Sequence, residues 1–397
     1  MKILRKLAYC LPALAIIGLT GCDTDPEPLQ IEHIGGENTK DDAKSEAYYA
    51  SLRKWKEDAR VNFRPISFGW FSNWNPEGPI RKGYMESIPD SVDMISNWSG
   101  NWNLTPAQVR DKEIFQKKKG GKILCCHIFC DIGGGLTPSW VSQKVEEENP
   151  DVDSKTLSLL KRHAQDAYWG FNWELPSGDR TAKGSEEHLA AIRRYAQVWV
   201  DSIVKYDYDG LDIDWEPTID GNGMDHSMKG SYSTPEGGYG AYLTVFIKEI
   251  GKYFGPMATE RPNGKYYYLA VDGQIDYAGD CAEYLDYYIS QAYGNGSAWG
   301  LDSRVTTLKY WAGDKYDSRK HIFCENFESS WSSGGGLLYQ ASYQTPEGPK
   351  GGVGAFRFDN DYDNTPDYKY MRQAIQINLQ SYQKWLEENN NPETPAE

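Results

Sequence analysis

Residues 208–217 read YDGLDIDWEP, and acidic and apolar side chains alternate through this run. Successive side chains of a β-strand point to opposite faces, so Asp212, Asp214 and Glu216 share one face. The apolar residues of the run occupy the other face, where surrounding helices can cover them. The pattern therefore predicts a strand whose apolar side packs outward and whose acidic side lines the interior of a barrel.

Short apolar runs alternate with helical stretches on both sides of this strand. The clearest helix, Glu186–Lys205, precedes it, and further helices are predicted at Asp41–Arg60, Tyr242–Phe254 and Tyr368–Leu386. Eight such alternations predict the α/β class and a (β/α)8 TIM barrel, with a doubly wound open sheet as the alternative. The predicted strands are Pro65–Trp70, Val92–Asn97, Lys122–Phe129, Tyr208–Trp215, Tyr266–Val271, Asp286–Tyr293, Lys320–Cys324 and Gly352–Phe358.

Three connections are long, at about residues 133–184, 217–238 and 325–350, and each follows a predicted strand. Segments that follow the strands of a (β/α)8 barrel lie at its C-terminal face, where barrel enzymes build their active sites. We therefore expect long βα loops around a site at that face.

The carboxyl groups of Asp212, Asp214 and Glu216 are costly to enclose on one face, because desolvation and mutual repulsion both oppose ionisation. Both effects raise carboxyl pKa values, so we expect at least one of the three to hold a proton near neutral pH. Such an acid at a strand end suits general-acid catalysis. A water-facing edge strand is disfavoured by the apolar second face. A calcium-binding EF-hand loop is disfavoured because Lys205 stands at its first ligand position.

The run also resembles the signature of the family 18 glycoside hydrolases, Asp-x-x-Asp-x-Asp-x-Glu, which falls on Asp209, Asp212, Asp214 and Glu216. The resemblance covers nearly all of residues 60–385. It implies retaining, substrate-assisted cleavage beside an N-acetylglucosamine unit, with the substrate's acetamido oxygen as nucleophile. No cofactor is implied, because the nucleophile comes from the substrate, and we assign no metal.

The resemblance also implies a role for each predicted catalytic residue. Glu216 would protonate the departing glycosidic oxygen and then act as base on water. Asp214 would accept the acetamido N–H and stabilise the oxazolinium intermediate, and Asp212 would tune the proton of Asp214. On the sixth strand, where residues 289–294 read ISQAYG, Tyr293 would donate its hydroxyl to the acetamido carbonyl.

Two departures from the chitinases of this family bear on the substrate. Chitinases usually carry Met-x-Tyr-Asp on the sixth strand, where this chain has Gln-Ala-Tyr-Gly from Gln291. They also usually carry a Trp on the eighth strand, where this chain has Phe356 and Arg357. Both features resemble endo-β-N-acetylglucosaminidases that cut the chitobiose core of N-glycans. We therefore expect hydrolysis of β-1,4-linked N-acetylglucosamine in that core, with a chitinase and a non-catalytic glycan-binding protein as alternatives.

Aromatic side chains gather near the predicted mouth, where their flat faces can stack on sugar rings. Trp70 and Trp98 lie at the ends of the first two strands, and Phe356 and Arg357 end the eighth. Together with Gln291 they are the predicted substrate-binding residues. We base the prediction on the group, since any single one of these rings could equally well be a hydrophobic residue that packs beneath a long loop.

The cysteines do not form a disulfide framework, because an odd, clustered set remains after the N-terminal segment. Cys125 and Cys126 are adjacent on a predicted strand and point to opposite faces, so they cannot easily share one metal ion. We interpret the remaining cysteines as small buried hydrophobes. They are Cys125, Cys126, Cys130, Cys281 and Cys324.

The N-terminal segment has targeting features. Basic residues precede an apolar run, Leu7–Leu19, that is too short to span a bilayer. The run ends in Leu-Thr-Gly-Cys22, which resembles the lipobox of bacterial lipoproteins. Acyl chains on Cys22 would hold the protein on the bacterial cell envelope, at the outer membrane and facing the periplasm or outward, without spanning it. The predicted organisation is a signal peptide at 1–21, a tether at 22–40, one barrel domain at 41–388 and a frayed tail at 389–397.

Composition excludes one class of partner. The 397 residues carry 42 basic and 57 acidic side chains, for a formal net charge of −15, whereas nucleic-acid binders present a basic surface. Hydrophobic residues make up 39% and aromatic residues 14%, so the chain can bury a large core. We expect an N-acetylglucosamine-containing glycan or glycoprotein as partner, no nucleic acid, and membrane contact through the lipid anchor only.

Overall fold

The computed structural model describes residues 44–172, 184–216, 226–229 and 241–389. The strands are β1 (Ile66–Phe71), β2 (Met94–Asn97), β3 (Lys122–Ile128), β4 (Gly210–Trp215), β5 (Tyr268–Gly273), β6 (Tyr287–Gln291), β7 (His321–Asn326) and β8 (Gly352–Phe356). They close into a barrel in which each strand pairs in parallel with the next and β8 pairs with β1. The predicted (β/α)8 barrel is confirmed, and closure rules out the open sheet.

The β1–β2 and β5–β6 connections contain 3-10 helices, and α-helices surround the rest of the barrel. The α-helices of the described residues are α1 (Glu46–Val61), α2 (Pro106–Glu113), α3 (Ser139–Glu148), α4 (Ser154–Tyr168), α5 (Glu186–Lys205), α6 (Ala241–Ile250), α7 (Ala298–Ala312), α8 (Leu337–Ser342) and α9 (Lys369–Asn389). The predictions of α1, α5, α6 and α9 are confirmed. The connection after β3 also contains α3 and α4, which pack on each other.

Two hydrophobic layers fix which way each strand side chain points. Outside the barrel, Leu211, Ile213 and Trp215 of β4 pack with the residues of α5, including Trp199. Inside, a smaller apolar cluster that includes Phe68 surrounds the acidic residues. The acidic face of β4 therefore points inward, as its alternation predicted.

The seam between β8 and β1 depends on two glycines. A Cβ on Gly352 would lie 2.4 Å from the carbonyl oxygen of Ile66. A Cβ on Gly354 would lie 2.3 Å from the carbonyl oxygen of Phe68. Both distances are far below van der Waals contact, so only glycine allows the last strand to approach the first this closely.

The predicted signal peptide, Cys22 and the tether lie outside the described residues, as do the tail after Asn389 and most of the connection after β4. Within the described ranges, no helix combines the length and the apolar character needed to cross a bilayer.

Candidate active site

The predicted acidic residues of β4 lie inside the barrel. Asp212 is fully buried and Asp214 is 3% exposed, while Glu216 follows the last strand residue and is partly exposed at the C-terminal mouth. The rise of a strand thus carries the three carboxyl groups from the dry interior to the edge of solvent. Asp209 lies at the other end of the strand, where it accepts a hydrogen bond from the backbone N–H of Ile123 over 3.0 Å, a structural position.

Asp212 is held by three donors from three strands. Its Oδ2 accepts from the indole Nε1 of Trp70 at 3.0 Å, from the hydroxyl of Ser96 at 2.7 Å and from the thiol of Cys126 at 3.6 Å. Burial raises the pKa of Asp212 to about 6, although these hydrogen bonds act in the opposite direction. The donors therefore fix the side chain without making it a strong acid.

A fourth carboxylate, which the sequence did not predict, completes the cluster. Asp272 on β5 is the register partner of Asp214, points inward and is 1% exposed. The predicted fifth strand ended at Val271, two residues before the observed end at Gly273. Strand alternation would have placed Asp272 on the inner face with Ala270 had the strand been extended.

The amide of Gln291 links this fourth carboxylate to the predicted acid. Its Nε2 donates to Oε1 of Glu216 over 3.1 Å and to Oδ2 of Asp272 over 3.2 Å. Gln291, on β6, therefore connects the interior of the cluster with the carboxyl group at the mouth.

Protons must be shared within the cluster. The Oδ1 atoms of Asp212, Asp214 and Asp272 are buried and have no hydrogen-bond partner among the described residues. Burial, followed by the neighbouring carboxylates, raises the pKa of Asp214 and of Asp272 well above the usual value. This agrees with the expectation that at least one carboxyl group keeps its proton near neutral pH.

Tyr293 lies above this cluster, two residues after Gln291. Burial, together with the negative charges of Asp272 and Asp214, raises the pKa of its hydroxyl far above the usual value. The hydroxyl therefore stays protonated in the physiological range and is available as a hydrogen-bond donor.

The backbone beside Tyr293 is anchored by another buried carboxylate. Oε1 of Glu325 accepts from the N–H of Gly294 over 2.8 Å, and its Oε2 accepts from the N–H of Gly336 over 2.6 Å. Glu325 thereby ties the loops after β6 and β7 together at the mouth.

Phe356 is the centre of an aromatic group at the mouth. Its ring centroid lies 6.1 Å from that of Trp70, 5.9 Å from that of Trp98 and 6.2 Å from that of Tyr293. Trp98 and Phe356 are partly exposed, whereas Trp70 is only 1% exposed and faces the barrel interior. The predicted role of these rings in sugar binding stays a prediction.

Arg357 lies on the wall of a cavity of about 650 Å³ beside this aromatic group. Its Nη1 pairs with Oε1 of Glu328 at 2.7 Å, and its backbone is in the left-handed region with a φ of 50°. Asn73, Asn75 and Asn360 contribute to the wall. These polar side chains suit hydroxyl-rich groups, Trp74 and Ile80 add apolar surface to the wall, and the cavity opens on the β1, β2 and β8 side of the mouth.

The thiols of the described residues are free, and most are buried. Cys125 belongs to the outer hydrophobic layer and Cys126 to the inner one, so the two do face opposite sides. Atoms of Cys126, Asp212 and Asp272 come within 4.8 Å of one another, an arrangement that could hold a metal ion. Burial raises the pKa of the Cys126 thiol well above its usual value, so the neutral thiol acts as a donor to Asp212 and we assign no metal there.

A short segment of the connection after β4 is anchored beside the mouth. The N–H of Ser227 donates to Oδ1 of Asp131 over 2.9 Å, and its hydroxyl donates to Oδ1 of Asp166, on α4, over 2.6 Å. His226 Nδ1 lies 2.9 Å from Oδ2 of Asp131. The sequence had no signal for this network, because its members come from three separate loops and helices.

The comparisons with known proteins agree with this geometry. A family model described as glycoside hydrolase family 18, BT1044-like, matches residues 24–167 and 172–377. A selenomethionine structure of BT1044 with a Glu-to-Gln substitution is 28% identical, with a TM-score of 0.62, and the match covers 87% of this chain and 97% of that one. No curated protein sequence matches the chain.

Two more distant structures share the fold. The apo endo-β-N-acetylglucosaminidase of Cordyceps militaris is 16% identical with a TM-score of 0.52, over 87% of this chain and 98% of that one. A doubly substituted form of that enzyme, in complex with fucosyl-N-acetylglucosamine-Asn, is 17% identical with a TM-score of 0.54, over 85% and 97% of the two chains.

Proposed function

The chain belongs to glycoside hydrolase family 18, and we propose that it is an endo-β-N-acetylglucosaminidase that cuts the chitobiose core of N-glycans. The observation that carries the proposal is the bridge from Glu216 through Gln291 to a buried set of proton-sharing carboxyl groups. A carboxyl group at the mouth, supported by acids beneath it, is the arrangement that leaving-group protonation requires.

In the first half of the reaction, the substrate supplies the nucleophile. The acetamido oxygen attacks the anomeric carbon, the glycosidic C–O bond breaks, and the departing oxygen takes a proton from Glu216. Asp214 accepts the acetamido N–H and balances the positive charge of the oxazolinium ion. The hydroxyl of Tyr293 donates to the acetamido oxygen and aligns it for attack.

In the second half, Glu216 acts as a base. Water attacks the same anomeric carbon and passes a proton to Glu216, and the bond to the acetamido oxygen breaks. Two displacements at one carbon retain its configuration. Asp212, anchored by Trp70 and Ser96, keeps a fixed orientation throughout.

The choice of an N-glycan core over chitin is supported by two features at the mouth. Gln291 replaces the Met usual in chitinases, and Phe356 replaces their Trp. The cavity beside Arg357 gives room for the part of a branched glycan that lies away from the cleaved bond. A linear chitin chain has no branch to fill it.

Product analysis tests this function directly. The purified protein is incubated with glycoproteins that carry high-mannose or complex N-glycans and, in parallel, with chitin oligomers. We expect released glycans that end in one N-acetylglucosamine, with the second left on the protein, and no release by Glu216→Gln. Cleavage of chitin oligomers alone would replace the proposal with a chitinase. Binding without turnover would make the protein a non-catalytic glycan binder.

We also propose that acyl chains on Cys22 anchor the protein to the bacterial envelope. Support comes from the apolar run that ends in Leu-Thr-Gly-Cys22. Labelling with a fatty-acid analogue should mark the wild-type protein and not Cys22→Ala. Mature protein that retains residues upstream of Cys22 would contradict the anchor, and this result would leave the proposed activity unaffected.

A further inference from the structure

Asp272 occupies the centre of the acid cluster, although it belongs to neither sequence motif of the site. It is the β5 register partner of Asp214, and 1% of its surface is exposed. A carboxyl group so enclosed is expensive to ionise unless it is paired. Its two oxygens differ in their surroundings: Oδ2 accepts from Gln291, while Oδ1 has no partner among the described residues.

The amide of Gln291 makes the position of Glu216 depend on Asp272. An amide nitrogen has two hydrogens, and here one is accepted by Glu216 at 3.1 Å and the other by Asp272 at 3.2 Å. The opposite amide orientation would direct the Gln291 oxygen at both carboxyl groups, which is unfavourable when either is ionised. If the amide of Gln291 turned toward one carboxyl group, its hydrogen bond to the other would be lost.

The other side of Asp272 faces the acids of β4. A carboxylate oxygen of Asp272 and one of Asp212 lie within 4.8 Å of each other. Three buried Oδ1 atoms, on Asp212, Asp214 and Asp272, lack donors within the described ranges. If all three carboxyl groups were ionised, they would repel one another with no donor to offset the repulsion, so at least one of them holds a proton. Asp212 already accepts three hydrogen bonds at Oδ2, which favours its anionic form and leaves the proton to Asp272 or Asp214.

We propose that Asp272 is a positioning residue of the reaction: it holds a proton of the buried acid set and, through Gln291, fixes the carboxyl group of Glu216. The proposal rests on the proposed function. While Asp214 carries the negative charge that balances the oxazolinium ion, a protonated Asp272 adds no second charge beneath it. The same side chain keeps Glu216 aimed at the departing oxygen.

Two substitutions separate these contributions. Asp272→Asn keeps an oxygen for Gln291 but cannot share a proton, whereas Asp272→Ala removes both. We expect Asp272→Ala to lower kcat about 100-fold with little change in KM, since misplacement of a catalytic group by about 1 Å has that effect. Asp272→Asn should move the basic limb of the kcat/KM profile about one pH unit lower, because the variant lacks the negative charge that the wild-type Asp272 gains when it loses its proton at high pH, and that charge opposes ionisation of the remaining acids.

Asp276 offers a matched control, since it lies on the segment that follows β5, and burial raises its pKa with none of the four acids among the causes. Asp276→Asn should leave kcat and the pH profile as in the wild type. A kcat for Asp272→Ala within twofold of wild type would overturn the positioning role. A pH profile of Asp272→Asn superimposable on that of the wild type would overturn the shared proton.

Unfolding measurements give a readout that needs no turnover. Burial and neighbouring carboxylates raise the pKa of Asp272 in the folded protein, so this group binds more protons in the folded state, and its contribution to wild-type stability falls as pH rises above about 4. Asp272→Asn removes this loss, so its advantage in melting temperature over the wild type should grow from pH 4 to pH 8. An advantage that does not change with pH would overturn the shared proton. Failure of the wild type to cleave any glycan would reject the proposed function, and this stability comparison would still stand.

Discussion

The indole N–H of Trp70 on β1 donates a hydrogen bond of 3.0 Å to Asp212 on β4, across the interior of the barrel. The ring is almost wholly enclosed, and it packs nearly perpendicular to the ring of Phe68 at a centroid distance of 4.8 Å. Trp70, which was predicted to bind substrate near the mouth, thus serves as a hydrogen-bond donor to a buried carboxylate. The hydrogen bond connects the first strand of the chain to the acid cluster.

Replacement of Trp70 by Phe should therefore change the acid chemistry. The substitution keeps an aromatic ring but removes the donor that lowers the pKa of Asp212, which lies at about 6. We expect the inflection that Asp212 contributes to the pH–rate profile to move to higher pH, with kcat reduced about 10-fold. Trp98→Phe, at the partly exposed neighbour of Phe356, should leave that inflection in place. Identical profiles for Trp70→Phe and the wild type would contradict this role.

Removal of the Tyr293 hydroxyl should lower kcat without changing its pH dependence. Tyr293→Phe deletes one donor to the developing charge, and the loss of such a donor costs about 100-fold in kcat. Because the pKa of Tyr293 is raised far above its usual value, the hydroxyl does not ionise within the working range. Kinetics between pH 4 and pH 9 check this, and a variant that altered the basic limb would show that Tyr293 titrates.

Phe356 should contribute to sugar binding more than to chemistry. Its partly exposed ring offers a flat apolar surface beside Tyr293, so we expect Phe356→Ala to raise KM about 10-fold with a smaller change in kcat. Calorimetric titration of the product glycan in a Glu216→Gln background measures the same loss without turnover. Phe358→Ala is the contrast, because Phe358 is fully buried in the outer layer and its loss should cost about 3 kcal/mol of stability. Unchanged glycan affinity in Phe356→Ala would exclude the ring from the binding surface.

The network around Asp131 should stabilise the mouth in a pH-dependent way. Burial alone would raise the pKa of Asp131, but its hydrogen bond with His226 and the positive charge of Arg162, whose Nη1 lies 3.8 Å from Oδ2, hold the pKa below the usual value. The stabilisation is therefore present above about pH 4 and is lost as pH falls through the lowered pKa. Asp131→Asn should cost about 3 kcal/mol at pH 7 and much less at acid pH, as measured by unfolding. Asp153→Asn, at an exposed helix N-cap, is the control, and equal losses for the two variants would refute the network.

The fold could be predicted from the sequence because every strand of a closed parallel barrel has the same two environments. One face of the strand packs against the helices and the other lines a narrow interior, and residues 208–217 show this alternation most clearly. Acidic residues on the interior face are costly, so they pointed to function as well as to structure. Four helices followed from their apolar stripes.

The remainder of the site could not be read locally. Asp272 was missed because strand ends are the least certain part of a periodic pattern, and it lies one residue past the predicted end. Trp70 donates its hydrogen bond to Asp212, a residue far along the chain, so no local sequence pattern predicts this contact. The Ser227 network likewise joins separate connections, so only the folded chain brings its members together.

The two glycines where β8 meets β1 determine whether the acids of the barrel are enclosed. Gly352 and Gly354 belong to the last strand of the chain, and only glycine lets that strand approach β1 closely enough to complete the ring. In an open sheet, the carboxyl groups of Asp212, Asp214 and Asp272 would be hydrated and would ionise as ordinary carboxylic acids do. The raised pKa values of the cluster therefore depend on two residues that have no side chain and that contact none of its carboxyl groups.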